Sequence, residues 1–304
     1  MVASTSVGTR TRARSSRWRA YVALTKPRII ELLLVTTVPT MVLAAGGLPP
    51  LPTLMATLVG GALAAAGANS MNSVYDRDID SVMKRTSGRP MVTGAISPAA
   101  GWAFGSALSA ISVVWLALTT NLLAAGLAGL AIFLYVVGYT MILKRRTSQN
   151  IVWGGAAGCF PVLIGWAAVT GHLSWAPWVL FAVIFLWTPP HYWPLSLRFR
   201  EDYGNAGVPM LPVVADGRKV ADHIVWYSVA TVVASLALVP VAPMGWIYSV
   251  SALLLGLVFV WEAMVLRRRT RRGEDPRLMR LFHWSITYLA LLFLVVALDP
   301  LLLG

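Results

Sequence analysis

Acidic residues are scarce in this chain. Asp and Glu number 12 among 304 residues, and all charged residues together make up 12%, against about 25% in soluble domains. There is a single cysteine, Cys159, which excludes an intramolecular disulfide and a cysteine-built metal site. No polar stretch is long enough to form a soluble basic domain, so the net charge of +13 does not point to nucleic acid. What fills the sequence is apolar: 57% hydrophobic residues, with a mean hydropathy of +0.70.

A bilayer crossing needs about 20 mainly apolar residues. Nine runs approach that length, near 29–47, 53–73, 99–119, 122–143, 151–170, 174–193, 223–241, 245–266 and 281–300. Gly, Pro and Trp blur the ends of the fifth and sixth. Only helices and closed barrels satisfy their backbone in lipid, and runs of this length are helical rather than barrel strands. The expected fold is therefore an all-α integral membrane protein of about nine transmembrane helices.

With these spans, all 25 Lys and Arg fall on one side. Loops on the other side, such as "GLPPLP" and "VTGHLSWAP", carry none. The positive-inside rule makes the basic side, including the N-terminus, cytoplasmic. Residues 1–28 read as a basic cytoplasmic tail, 29–300 as one transmembrane domain and 301–304 as a short end. The Arg- and Ser-rich start also has the composition of a transit peptide; the tail is the preferred reading.

The scarce acids are not scattered. In "MNSVYDRDIDSVMKRTSGRP", Asp76, Asp78 and Asp80 fall within five residues, and Asn72 ends an apolar span where a polar group is costly unless used. Asn72, Asp76 and Asp80 are spaced i, i+4, i+8, which stacks them on one helix face about 6 Å apart. Such a row suits a hard cation: Mg²⁺ is usually held by one or two carboxylates plus substrate phosphate oxygens and water. Asp78 points elsewhere, toward a pairing with Arg77 or Arg85 or a supporting role. Lys84, Arg85 and Arg89 follow at once. They either neutralise the row or bind the anionic oxygens of a diphosphate.

A second polar loop, "TPPHYWPLSLRFREDYGNAGVPMLPVV", brings His191, Arg198, Arg200, Glu201 and Asp202. Its Thr188–Pro190 segment is expected to interrupt or end the sixth span. His191 can orient a base, ligate a metal or hydrogen-bond near headgroups. The phrases "GRPMVTG" and "GVPMLPV" hint at a parallel duplication with a site between its halves. "YTMILKRRTSQN" ends the fourth span with Lys144 to Arg146, which are either topology anchors or site residues. "LRRRTRRGEDPRLMR" reads as an anchor for anionic lipid. A transporter is the rival reading from another class, since intramembrane acids mark ion paths; these acids, however, gather at one face. A scaffold with partner-docking loops leaves the i, i+4, i+8 row unexplained.

These loops resemble the UbiA superfamily of membrane prenyltransferases over nearly the whole chain. Asn72-x3-Asp76-x3-Asp80 matches the superfamily's first aspartate-rich motif. "DRDIDSVMKRTSGRP", "YTMILKRRTSQNIVWGGAAGCFPVLIGWAAVTG" and "TPPHYWPLSLRFREDYGNAGVPMLPV" are similar to the branch that farnesylates haem. His191 and Arg198 stand where quinone-precursor enzymes have aspartates, and Asp202 matches a third, which favours that branch and leaves a second Mg²⁺ in doubt. The resemblance implies a UbiA-like helical bundle in a bacterial cell membrane, with a mitochondrial inner membrane as second choice. It implies farnesyl diphosphate as donor, haem B as acceptor substrate, and Mg²⁺ as cofactor. It assigns Asn72, Asp76 and Asp80 to the metal, with Asp76, Asp80 and His191 as catalytic groups. Lys84, Arg85, Arg89 and Lys144 are assigned to the diphosphate, and His191, Arg198, Arg200 and Asp202 to the acceptor. Membrane lipid and a haem-pathway enzyme are the implied partners. Prenylation of an aromatic acid or quinone precursor is the alternative within the family.

Overall fold

The computed structural model describes residues 17–303; residues 1–16 of the basic tail and Gly304 lie outside the described residues. The described residues contain helices and no strands. In chain order the helices are α1 (Arg17–Thr25), α2 (Pro27–Ala45), α3 (Leu51–Tyr75), α4 (Arg77–Val82), α5 (Pro98–Thr119) and α6 (Leu122–Phe133). Then come α7 (Asn150–Gly154), α8 (Phe160–Thr170), α9 (Trp175–Arg198), α10 (Arg200–Asn205), α11 (Leu211–Val214), α12 (Gly217–Leu236), α13 (Trp246–Arg271) and α14 (Leu278–Leu303). A π-helical segment, Leu134–Leu143, continues α6, and a 3₁₀ segment, Gly155–Cys159, joins α7 to α8.

Among the described residues, six helical segments are long and apolar enough to cross a membrane: Leu51–Tyr75, Pro98–Thr119, Leu122–Leu143, Asn150–Thr170, Trp246–Arg271 and Leu278–Leu302. Three further helices, α2, α9 and α12, stand where the sequence places its other three spans; the described part of α2, Val35–Ala45, is a shorter apolar helix, and α9 and α12 do not belong to this set. In α12 the first turns carry Arg218, Lys219, Asp222 and His223, and in α9 prolines, His191 and Arg198 dilute the apolar run. Large apolar side chains cover much of the outside, among them Leu118, Trp226, Val233 and Leu254. This is the surface expected of a bundle solvated by lipid tails.

Two differences from the sequence reading bear on the site. Arg17–Thr25 is a helix rather than part of an unstructured tail. Its Ala20 and Leu24, one turn apart, pack with Val74, Met91 and Ile96, and this apolar contact offsets the cost of ordering so short a segment. Second, Thr188–Pro190 does not end the sixth span: α9 runs unbroken through Pro189, Pro190 and Pro194. The Thr188 hydroxyl donates to the Ile184 carbonyl at 2.8 Å, and packing on α14 holds the segment. Prolines inside membrane helices persist where neighbours and hydroxyls re-satisfy the freed backbone.

The helices form a ring. α3 packs on α5, α5 on α6, α6 on α8, α8 on α2, α2 on α14, and α14 on both α9 and α13. α12 bridges α13 and α9, and α9 closes the circuit against the 3₁₀ segment. The α3–α5 contact is the closest approach. A Cβ placed on Gly67 would lie 2.7 Å from the Gly105 carbonyl oxygen, and one on Gly105 would lie 2.9 Å from the Gly67 carbonyl oxygen. The Ser112 hydroxyl and the Trp115 indole donate across the crossing to the Gly60 and Ala56 carbonyls at 2.7 and 2.9 Å. Small residues that let backbones meet, with polar groups bonding across, are how helices associate without a hydrophobic drive.

Gly105→Val is expected to destabilise the protein by ~1–3 kcal/mol, the usual cost of overpacking. Gly126→Val, at a position whose added Cβ meets nothing within 4 Å, should leave the melting temperature in detergent much nearer that of the parent. Equal melting temperatures for the two variants would contradict the close crossing.

Candidate active site

The face of α3 that carries the polar row explains what the row is for. Gly61, Ala64, Ala65, Ala68 and Asn69 follow helical spacing up that face and line a cavity of about 310 Å³; Asn72 and Asp76 continue it upward. Small side chains below leave room, and oxygen-bearing ones cap the top. The opposite walls are Ile132 of α6, Tyr135 and Tyr139 of its π-helical extension, Gly154, Gly155 and Gly158, Pro161 and Ile164 of α8, and Thr188 and Tyr192 of α9. Gly154 is required by close approach: a Cβ there would lie 2.1 Å from the Tyr139 ring. The space is apolar, and its α3 wall ends at Asn69, one turn before the polar row begins at Asn72, an arrangement that suits an amphiphile with an anionic head.

At the polar end the chain bends. α3 ends at Tyr75 and α4 starts at Arg77, with Asp76 at the joint (φ −85°, ψ 7°). The row is therefore not one straight helix. Backbone bonds from Asp76 N–H to Asn72 O (2.9 Å) and Asp80 N–H to Asp76 O (2.8 Å) nevertheless carry helical spacing across the bend. Asn72, Asp76 and Asp80 are all buried, at 4%, 0% and 2% exposure. A buried carboxylate is costly unless paired or hydrogen-bonded, and Asp76 and Asp80 each meet a cation from outside their own helix. The Arg89 Nη1 spans both Asp80 oxygens at 2.8 and 2.6 Å. Lys144 Nζ bonds Asp76 Oδ2 at 2.5 Å, and Arg145 stands 3.8 Å from Asp76 Oδ1. Asn72 donates to Asp76 Oδ2 (2.8 Å) and to Thr140 Oγ1 (3.0 Å), and accepts from Lys26 Nζ (2.7 Å).

Arg89 and Lys144 thus lie among the acids, whereas Lys84 and Arg85 are exposed, Arg85 with its guanidinium 5.7 Å from the Phe199 ring centroid. Asp78 pairs with Arg145, through two bonds of 2.7 Å, rather than with Arg77 or Arg85. That pairing holds the Asp78 carboxyl below the usual carboxylate range. His191 is held by α14, not by the carboxylates: its Nδ1 lies 2.8 Å from Ser285 Oγ. Arg198 and Arg200 are exposed, Arg200 bonding the Val213 carbonyl at 3.2 Å, and Asp202 is half-buried. The two polar loops meet through Ile79, Met83, Tyr203, Val208 and Met210, which form one buried cluster with Ile151 over the polar end.

Sequence reasoning missed Lys26 and Asn69 and left Arg145 between a topology anchor and a site residue. Lys26 joins α1 to α2 with left-handed backbone angles (φ 56°, ψ 63°), a conformation non-glycine residues rarely adopt. Asn69 donates to the neighbouring Thr25 carbonyl at 3.1 Å and accepts from Tyr135 at 3.3 Å, tying this joint to the cavity mouth. Burial first, and then repulsion from Arg89 and Lys144, push the Lys26 ammonium down to about 7, against the attraction of Asp80 and Asp76. A charged Lys directly before Pro27 at the start of an apolar run was the available signal.

The oxygen donors fit a hard cation. Asp76 Oδ1 is buried without a hydrogen bond, an orphan acceptor of the kind a metal ion satisfies. No group of three or more His, Cys, Asp or Glu is gathered among the described residues, so ligands from a substrate would have to complete the shell.

A membrane-embedded helical bundle with buried carboxylates and cations over an apolar cavity is the architecture of an enzyme acting on lipid-like anions. The chain belongs to the UbiA prenyltransferase family, whose model matches residues 33–286. It is 56% identical over 290 residues to a protein of Streptomyces coelicolor named protoheme IX farnesyltransferase, covering 94% of this chain and 92% of that one. A Frankia alni protein of the same name is 56% identical over 283 residues, covering 93% and 98%. Among solved structures, the fold matches a study of digeranylgeranylglyceryl phosphate synthase (TM-score 0.76, 15% identity, 94% of this chain and 99% of that one). It also matches a UbiA homolog from Archaeoglobus fulgidus bound to DMAPP and Mg²⁺ (TM-score 0.67, 20% identity, 91% and 99%).

Lys144→Met leaves Asp76 buried with only the more distant Arg145, and is expected to cost on the order of 3 kcal/mol, as for other broken buried pairs. Adding Asp76→Asn should recover part of that loss. A double-mutant cycle on unfolding in detergent checks this; strictly additive effects would contradict the pairing.

Proposed function

We propose that the chain transfers the farnesyl group of farnesyl diphosphate to a vinyl group of protohaem IX, giving haem O and diphosphate. One observation supports prenyl transfer above the rest: a single face of α3 bears the buried Asn72 and Asp76 at its top and the cavity-lining Gly61, Ala64, Ala65 and Ala68 beneath. The diphosphate belongs at the first set and the prenyl tail along the second. The names of the 56%-identical relatives support haem as acceptor.

In this reading Asn72, Asp76 and Asp80 hold Mg²⁺ together with diphosphate oxygens, and the ion supplies Lewis-acid stabilisation of the leaving group. Arg89 and Lys144, already at the carboxylates, and Lys26, on Asn72, turn toward the diphosphate, with Lys84 and Arg85 at the rim. Negative charge grows on the departing oxygens, and fixed cations in a dry site stabilise it most where it develops. The allylic C–O bond breaks and the diphosphate keeps the electron pair. The terminal vinyl carbon of the haem then bonds the farnesyl carbon, water adds at the carbon left cationic, and a proton departs. The packed loop cluster around Met83 and Met210 limits early entry of water. Arg198 and Arg200 suit the haem carboxylates, with His191 and Asp202 completing the acceptor side.

The finer topology belongs to the same proposal. A single domain over 29–300 crosses a bacterial cell membrane nine times, with the N-terminus and the polar loops in the cytoplasm and the last basic loop on anionic lipid. Haem arrives through the membrane or from a neighbouring enzyme of its pathway.

Purified protein with haem B, farnesyl diphosphate and Mg²⁺ is expected to yield farnesylated haem by mass spectrometry; prenylation of a quinone precursor instead would replace the acceptor. Asp76→Ala should abolish transfer while the protein still inserts and folds, and removing divalent metal should stop turnover.

A Cβ at Gly61 meets nothing within 4 Å and Gly61 lines the cavity. Gly61→Leu should therefore fold normally yet disfavour the farnesyl donor relative to the ten-carbon geranyl donor, measured as a ratio of kcat/KM values. An unchanged ratio would place the tail elsewhere.

A further inference from the structure

His191 of α9 is set in place more completely than any role in general polarity requires. Its ring lies between Trp187, with centroids 4.2 Å apart and planes 13° apart, and Phe282 of α14, at 4.8 Å and 22°. Both faces are covered, so the ring is not free to stack on a flat ligand. The in-plane direction is fixed as well. His191 Nδ1 is 2.8 Å from Ser285 Oγ, and the Ser285 hydroxyl itself donates to the Phe282 carbonyl at 2.6 Å. A carbonyl oxygen only accepts, so the single serine proton is committed there and Oγ faces His191 as an acceptor. Nδ1 must therefore carry the hydrogen, which leaves the lone pair of the neutral ring on Nε2. The Trp187 indole fastens the same point by donating to the Ser285 backbone carbonyl at 2.8 Å.

Nε2 has no hydrogen-bond partner among the described residues, and it is not one of the side-chain nitrogens sealed from the surface without one. An imidazole clamped on both faces, with Nδ1–H on a fixed acceptor and Nε2 open, is the arrangement that orients a metal-binding histidine. The flanking Thr188 and Tyr192 line the donor cavity, so a group held at Nε2 is anchored on the helix that walls the prenyl tail.

We infer that His191 binds the iron of an iron porphyrin through Nε2, as axial ligand of the acceptor substrate. Ser285 is the positioning residue that fixes the tautomer. The inference rests on the proposed haem acceptor and adds what fixes the macrocycle: iron ligation sets its centre, and the carboxylate-binding arginines set its rotation.

The test uses the full-length protein in lipid nanodiscs, loaded with haem B and reduced, with resonance Raman detection of the iron–nitrogen stretch. The parent protein should show a histidine band that shifts when the protein's histidines carry ¹⁵N. His191→Ala should lose it, and added imidazole should restore an iron–imidazole band. His191→Gln keeps a planar group between Trp187 and Phe282 and should lose the band too, which guards against a folding defect in the alanine variant. Ser285→Ala should keep the band at a shifted frequency and weaken haem binding roughly tenfold, as for other lost outer partners of a metal ligand. His223→Ala should change nothing. A ¹⁵N-sensitive band that survives in His191→Ala or His191→Gln, or its absence from the parent, overturns the ligation. Formation of farnesylated haem by the parent is measured alongside. Product without His191 ligation defeats this inference alone, whereas loaded protein that yields no product defeats the haem reading itself.

Discussion

Asp76 and Asp80 are buried at the edge of a lipid-solvated bundle and meet cations, whereas the buried Asp299 is satisfied by the backbone N–H groups of Gly245 and Tyr248; the upper part of this structure follows from that cation pairing. Asp76 and Asp80 are sealed from solvent, so positive charge has to be brought to them from elsewhere in the chain. It comes from three directions: Lys144 and Arg145 after the π-helical segment, Arg89 from the loop below α4, and Lys26 from the joint before α2. None of these is adjacent in sequence to its partner. The ion pairs therefore act as tertiary fasteners as well as site chemistry. Under the proposed function, an incoming metal would take over the acids and an incoming diphosphate the bases, so that the charges stay matched.

The lower part obeys the opposite constraint. Below Asn72, α3 presents only small side chains to the interior, and the facing 154–158 stretch is glycine and alanine. A core of this kind would normally collapse. Here the helices are held apart by contacts on other faces, notably the Gly67–Gly105 crossing and the aromatic packing of α9 on α14. The cavity is the remainder left by a ring of helices whose best contacts all lie outside it. The same helix thus contributes a tight seam on one side and an open wall on another.

Much of this was readable in the sequence, for physical reasons. The scarcity of acids made the clustering of Asp76 and Asp80 informative, and helical spacing placed Asn72 with them. Pairing partners were not readable, because i, i+4 rules say nothing about contacts made across 46 or 68 residues. Hence Arg145 stayed between a topology anchor and a site residue, and the partners named for Asp78 were Arg77 and Arg85 rather than Arg145. Lys26 was hidden for a related reason: its position depends on α1 folding back onto α3, and a nine-residue helix has no strong local signal. The prolines of α9 misled because a local breaker rule takes no account of a hydroxyl and a neighbouring helix that repair the break. Thr188 and the α14 contact do both.

The π-helical run from Leu134 to Leu143 closes with Lys144 N–H on the Tyr139 carbonyl, five residues back, at 2.8 Å. Relative to ordinary winding it holds surplus chain, and that surplus sets the angular phase of everything downstream. Rewinding this run as an ordinary helix without shortening it would rotate the following side chains by roughly 100°. Lys144 and Arg145 would then leave the carboxylates, although neither had been substituted. The wide winding between Tyr135 and Lys144 is in that sense a reading frame written in the backbone, and a change of winding there would disperse the polar cluster as surely as the loss of one of its charges.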